Sequence, residues 1–356
     1  MPDMPKDVTL IDTPTGTVRT GRQLALARLI PNNLEGPIDE VSKKYSVAIP
    51  EGLIALIDHE NPEDPIARQF VPDVEELVVS EDELADPIGD NAFSPMRGLV
   101  HRYPDRVLLL PTLSCPVYCR YCFRRDQVGR AEDAPDREEL ELAITYIANN
   151  AAIREVILTG GDPLSLSNNR LRSLLNRLAS IPHIDNLRIH TRFPIAVPER
   201  ITDALITALQ TDIPVWMVLH CNHARELSED VTSACNKLSL SGIPLLSQSV
   251  LLKGVNDDVE TLTELFRALV RLKVKPYYLH HPDRARGTAR FRVGLAEGRA
   301  LIETLRGRIS GLCQPTYVVD IPSGHGKYPA QHASKLPDEN GWLLGGWNGN
   351  FHKYWD

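Results

Sequence analysis

From Arg106 to Asp320 the sequence alternates short apolar runs with longer stretches whose apolar residues recur at helical spacing, a rhythm that leaves few folds open. Residues 106–111, Arg-Val-Leu-Leu-Leu-Pro, read as a buried strand. Residues 155–159, 187–190, 214–220, 245–250, 276–280 and 316–320 follow as further strands. Between them, residues 137–149, 168–179, 199–210, 229–240, 257–273 and 295–310 read as helices. Strand–helix repeats of this length imply parallel strands joined by right-handed crossovers. The expectation is an α/β fold, an incomplete (β/α)6 TIM-like barrel, with a doubly wound sheet as the alternative. In either, ligands gather at the carboxyl ends of the strands. Ahead of this block, residues 1–98 read as an irregular helical region punctuated by proline. Residues 99–330 form the barrel unit. Residues 331–356 form a tail without clear pattern, whose Trp342, Trp347 and Trp355 dock on the barrel or on a second subunit.

Composition narrows the partners. A formal net charge of -8 disfavours electrostatic capture of nucleic acid or an anionic membrane surface. No apolar run approaches the roughly 20 residues that span a bilayer. Met1–Asp7 lacks the apolar segment of a signal peptide, so the expected location is cytoplasmic.

Six cysteines are too few for a disulfide scaffold, and their placement says more than their number. Cys221, Cys235 and Cys313 are scattered and read as buried small hydrophobes. Cys115, Cys119 and Cys122 stand together in Ser-Cys-Pro-Val-Tyr-Cys-Arg-Tyr-Cys-Phe-Arg-Arg, directly after the first barrel strand. Thiolates ligate iron–sulfur clusters, and three of them leave one iron of a four-iron cubane open to an exogenous ligand. A zinc site remains an alternative, with a fourth ligand from Cys221, Cys235 or a histidine, as does redox storage in a disulfide. The second strand ends in Thr159-Gly160-Gly161-Asp162-Pro163, which by itself is a capped strand-to-helix turn. His220 and Gln248 end later strands and are either satisfied polar core residues or contacts to the same cavity.

The C-x3-C-x2-C loop closely resembles the signature of the radical S-adenosylmethionine superfamily. That resemblance implies a [4Fe–4S] cluster on Cys115, Cys119 and Cys122, with S-adenosylmethionine on its open iron. It also places Gly160, Gly161 and Asp162 as the element holding the amino group of S-adenosylmethionine, with His220 and Gln248 facing it. Four ordered segments narrow the match: His101-Arg-Tyr-Pro-Asp-Arg106, the cysteine loop, Leu279-His-His-Pro-Asp283 running on to Gly287–Arg292, and residues 318–327, Val-Val-Asp-Ile-Pro-Ser-Gly-His-Gly-Lys. Over roughly residues 90–330 the chain resembles the lysine 2,3-aminomutase family.

The family resemblance implies roles for the remaining site residues. By it, Lys327 forms the Schiff base with pyridoxal 5′-phosphate, and Arg102 and Arg106 clamp its phosphate. Arg124 holds the substrate carboxylate, while Asp283 and Asp320 take the remote ammonium, favouring L-lysine over an acidic amino acid. The implied activity is an isomerase's, moving the amino group from C2 to C3 by way of a radical made from S-adenosylmethionine. An electron donor such as flavodoxin or ferredoxin and a homo-oligomeric state are expected. Two departures stand out: Ser323 and His325 interrupt a run that is glycine-rich in the family, which leaves arginine, ornithine or a protein-bound lysine open as substrates. Relatives with a longer carboxyl-terminal region bind zinc there through cysteines, and no cysteine follows Cys313, so no such site is expected.

Overall fold

A computed structural model of the protein describes residues 16–337 and 341–355; Met1–Asp7 lies outside the described residues. Every strand read from the alternation is present. A sheet of nine strands runs in strict sequence order. It starts with β1 (Leu99–Tyr103), β2 (Arg106–Thr112) and β3 (Glu155–Gly160), followed by β4 (Asn186–Thr191), β5 (Val215–His220) and β6 (Leu245–Val250). It ends with β7 (Val274–His280), β8 (Thr316–Ile321) and β9 (Gly326–Pro329). β2 to β8 are parallel, each to the next. β1 and β9 lie antiparallel at the two ends and do not pair with each other, so the barrel is open.

Among the described residues, four helices precede the sheet: α1 (Gly21–Leu26), α2 (Glu35–Lys44), α3 (Glu51–Ile54) and α4 (Pro65–Phe70). The crossovers carry α5 (Arg137–Ala148), α6 (Asn168–Ala179), the short α7 (Phe193–Ala196), α8 (Asp203–Leu209), α9 (Glu229–Leu240), α10 (Val259–Arg271) and α11 (Leu295–Arg306). Side-chain caps start most of them. Asp136, Ser167, Thr202, Ser228 and Asp258 each accept a hydrogen bond from the backbone of the first turn. Thr202 also explains why residues 199–210 are not one helix. It is extended and caps α8, which splits the segment into a 3-10 turn at Pro198–Arg200 and a shorter α-helix.

Each crossover helix turns one stripe inward; on α10 the stripe is Leu262, Leu265, Phe266 and Leu269, the i, i+3, i+4, i+7 set. These stripes meet the outward faces of the strands in one continuous apolar core that extends from Val18 to Tyr354. The carboxyl-terminal tail is more ordered than its sequence indicated. β10 (Ser334–Lys335), β11 (Trp342–Gly345) and β12 (Phe351–Tyr354) form an antiparallel sheet. Alternation on β11 buries Trp342 and Leu344 against the core, while Trp347 and Trp355, just beyond the ends of β11 and β12, are exposed. Among the described residues no helix is long and apolar enough to cross a membrane.

Candidate active site

A cavity of about 590 Å³ runs through the inside of the barrel, within the range of small-molecule sites. Strand periodicity builds its wall. On β4, Leu187 and Ile189 point outward into the core while Arg188 and His190 point inward and line the cavity. The same alternation turns Glu155, Ile157 and Thr159 of β3, Tyr278 and His280 of β7, and Asp320 of β8 inward. Every residue expected at the site lines this one cavity: the three clustered cysteines, Gly160, Gly161, Asp162, His220, Gln248, Arg102, Arg106, Arg124, Asp283, Asp320 and Lys327.

The cysteines sit at the carboxyl end of the barrel, on the loop after β2, with all three thiols free. Burial pushes Cys122 up to about 11, the neighbouring Cys119 adding to the rise, and burial raises Cys115 further. Three free thiols on one loop suit a four-iron cubane with one open iron, whereas a closed zinc centre needs a fourth protein ligand. The candidates for a fourth zinc ligand are also committed elsewhere: Cys235 is packed in the core on α9, and Cys221 donates to the His223 carbonyl at 3.5 Å. The loop is anchored from below by Glu76, fully buried, which pairs with Arg120, Arg125 and Arg290.

The two glycines at the end of β3 are needed because the β2 strand and the chain after it come so close. A Cβ on Gly161 would lie 2.5 Å from both the Leu113 carbonyl carbon and the Ser114 oxygen. Gly160 has φ +101° and would press its Cβ to 2.8 Å from Leu110. The cysteine loop is thus seated directly on this turn. Gly161→Ala should cost about 1–3 kcal/mol by overpacking and lower the iron content of the purified protein along with its melting temperature. The carboxylate of Asp162 accepts from Leu164 N at 3.0 Å, Thr191 Oγ1 at 2.8 Å and Arg192 N at 2.7 Å. Burial still pushes this carboxyl up to about 6. With its oxygens so engaged, the side chain braces the β3 and β4 turns, and backbone atoms are what the turn presents to a ligand. His220 is likewise occupied, bonded to Tyr121 Oη at 2.8 Å. Gln248 lies beside it across β5 and β6.

On another part of the wall, Lys327 and Asp320 are register partners in the β8–β9 ladder, so both side chains leave the sheet on one face. Lys327 Nζ donates to Asp320 Oδ1 at 2.5 Å and to Oδ2 at 2.6 Å, and His280 Nδ1 lies 3.2 Å from Asp320 Oδ2. Burial acts to raise Asp320, but the Lys327 ammonium and the His280 hydrogen bond outweigh it and hold the carboxyl well below the usual range. Burial, then the negative charge of Asp320, pushes Asp283 well above it. Asp320 is therefore held toward its ionised form, gripping an ammonium, while burial and that charge oppose the ionisation of Asp283. Ser323 adopts φ +62°, the left-handed region where glycine is at ease, so it takes up a glycine conformation in the loop before Lys327. His325 stacks on His352 of β12 with ring centroids 3.5 Å apart. Neither Ser323 nor His325 lines the cavity.

Several residues that sequence reasoning passed over stand in the same wall. Arg192 is buried and pairs with Glu226 and Tyr121, tying the β4 turn to the cysteine loop. Arg188 pairs with Glu155 at 2.6 Å between the adjacent strands β4 and β3. Asp90 joins Arg102 to Arg124. The alternation Leu187-Arg-Ile-His190 carried a usable signal, since polar side chains at alternate positions of a barrel strand must face inward. Asp90 gave none, lying in a loop between Pro87 and Pro95, outside every motif.

The cavity fits an anionic aromatic cofactor as well as a cluster. Arg102 Nε, Arg188 Nε and His190 Nε2 are buried without a hydrogen-bond partner, which leaves donors aimed at a group such as phosphate. Arg106 stacks on the Tyr103 ring at 3.9 Å at the same end. Burial, and then nearby cations, hold His190 well below its ordinary value, so it is a neutral donor or acceptor.

Comparison with known proteins agrees with this chemistry. A sequence model of the radical SAM superfamily matches residues 109–266. L-lysine 2,3-aminomutase of Clostridium subterminale is 43% identical over 83% of this chain and 71% of that one. L-lysine 2,3-aminomutase of Bacillus subtilis is 39% identical over 91% of this chain and 70% of its own length. Glutamate 2,3-aminomutase of Clostridioides difficile is 37% identical over 82% and 69%. With a cavity joining three free thiols, unpartnered cationic donors and an Asp-gripped lysine, and with these relatives, the chain belongs to the lysine 2,3-aminomutase family of radical S-adenosylmethionine enzymes, isomerases whose cofactors are a [4Fe–4S] cluster, S-adenosylmethionine and pyridoxal 5′-phosphate.

Proposed function

We propose that the protein moves the amino group of L-lysine from C2 to C3, giving β-lysine. The observation that carries the choice of lysine is that Asp320, beside Asp283, already binds an alkylammonium group in this structure, that of Lys327. Two carboxylates at one position favour a cationic side chain and repel that of glutamate. Cys115, Cys119 and Cys122 hold the cluster, while Gly160, Gly161 and Asp162, with His220 and Gln248, form the S-adenosylmethionine side of the cavity. Lys327 holds pyridoxal phosphate covalently, Arg102 and Arg106 bind its phosphate, and Arg124 takes the substrate carboxylate.

When bound, these cofactors supply a carbon radical and a conjugated ring through which nitrogen can shift. The chain supplies alignment. Charged groups along the wall fix the substrate, and apolar side chains such as Val107, Ile157 and Leu252 keep water out. Ser323 and His325 lie off the cavity, so the two departures from the glycine-rich run do not alter its substrate wall. That favours lysine over arginine, ornithine or the lysine attached to elongation factor P. A cytoplasmic location, a flavodoxin or ferredoxin as reductant and a homo-oligomer complete the reading.

Anaerobic incubation of the reconstituted enzyme with lysine, arginine, ornithine and glutamate, followed by identification of β-amino products, tests it. β-Lysine is the expected product; preferential turnover of glutamate would overturn the assignment. A pH profile adds a finer check. Asp283 must lose its raised proton to attract the substrate ammonium, so KM for lysine should fall as pH rises through its titration, by at most about tenfold per pH unit. Asp283→Asn should raise KM and flatten that dependence.

A further inference from the structure

The segment just before β1 meets the site at three points. Asp90 is buried, with one carboxylate oxygen 2.6 Å from Arg102 Nη2 and the other 2.6 Å from Arg124 Nη2. Arg102 is held further by the Ile88 carbonyl at 2.8 Å and lies over the Phe93 ring. Arg124 lies over the Phe123 ring. The turn that delivers Asp90 is itself fixed: the Asp86 carboxylate accepts from Asp90 N and Asn91 N, both at 2.9 Å. Next to it, Gly89 has φ +70° and backs onto the lysine loop so closely that a Cβ would come within 2.2 Å of Gly324 N.

We propose that Asp90 is the positioning residue that yokes the two anion-binding arginines, Arg102 for the cofactor phosphate and Arg124 for the substrate carboxylate. A guanidinium carries five N–H donors; Asp90 accepts a hydrogen bond from one nitrogen of Arg102 and meets one nitrogen of Arg124 as an ion pair without hydrogen-bond alignment. The rest remain for ligand anions, as the unpartnered Arg102 Nε shows. The carboxylate also separates two buried like charges that would otherwise repel each other and swing apart. Both ligands are thereby placed from one fixed point, and their separation, on which the fit of substrate to cofactor depends, is set by a residue that need touch neither.

The yoke rests on the roles proposed for Arg102 and Arg124, and its test separates the two. Pyridoxal phosphate affinity is measured by absorbance titration of cofactor-free protein, which needs no turnover. KM and kcat for lysine are measured on reconstituted enzyme, and inhibition constants for cadaverine, which has two ammonium groups and no carboxylate, on the same samples. For Asp90→Asn we expect pyridoxal phosphate affinity and KM for lysine each to worsen by about tenfold or more, the scale of a lost charge-assisted hydrogen bond at Arg102 and of a lost buried ion pair at Arg124. Cadaverine inhibition, iron content and melting temperature should stay near wild type, and Asp90→Glu should recover most of the loss. Unchanged affinity for pyridoxal phosphate, tighter binding of it, or a loss of iron without rescue by glutamate would each overturn the proposal. If wild-type protein makes no β-lysine, the lysine reading fails, while the cofactor titration still decides for or against Asp90.

Discussion

Cys119→Ala should leave a folded protein that turns over lysine at less than about a thousandth of the wild-type rate, because no radical can be generated without an intact cluster. Its iron and sulfide contents after anaerobic reconstitution should fall well below those of the wild type. Contacts other than the cluster also anchor the loop. Arg120 and Arg125 bind Glu76, Arg120 N donates to the Gln69 carbonyl at 2.9 Å, and the glycine turn packs beneath. Removing one partly buried sulfur therefore costs about 1 kcal/mol of stability or less. Retention of a four-iron signal in electron paramagnetic resonance, together with undiminished turnover, would remove this thiol from the cluster.

Lys327→Ala should be as inactive, for a different reason and with the cluster intact. The variant has no amine to hold pyridoxal phosphate covalently, so borohydride reduction should fix no cofactor to the chain, while iron and sulfide stay at wild-type levels. It also strips Asp320 of its ammonium partner. Because Lys327 is one-third exposed and His280 remains beside Asp320, the stability cost should be only about 1–2 kcal/mol, below that of a fully buried pair. Lys327→Arg separates the two roles. It keeps a cation for Asp320, so the melting temperature should recover, yet it offers no amine and should stay inactive. Recovery of activity in Lys327→Arg would show that the ion pair, and not covalent attachment, is what Lys327 contributes.

The chemistry was most legible where local sequence alone creates it. Cys115, Cys119 and Cys122 fall on one loop, so their spacing is their geometry. Arg102 and Arg106, Asp283, and the pair Asp320 and Lys327 lie in short motifs, and the structure brings all of them to one cavity wall. Asp162 shows the opposite case. Its motif marks an important turn, but only the fold shows its carboxylate bonded to Thr191 and Arg192 on the next strand's turn. The tail was read as patternless because its strands are four residues or fewer, too short for an alternation to stand out.

By itself the sequence determined the succession of parallel strand–helix units and the loop that groups three cysteines, because both arise from periodicity and spacing between near neighbours. That the strands curl into an open barrel and not a doubly wound sheet was decided by the fold. The sequence also placed the polar residues of β4 at alternate positions, and hence on one face of that strand. Only the tertiary structure decided which charges meet. Asp90 reaches Arg124 across a separation that no periodicity encodes, and Asp320 receives Lys327 because the chain reverses at a loop whose Ser323 takes a left-handed turn. Ion pairing acts through space and is indifferent to distance along the chain, so the electrostatics of this site come into being only when the barrel forms around them.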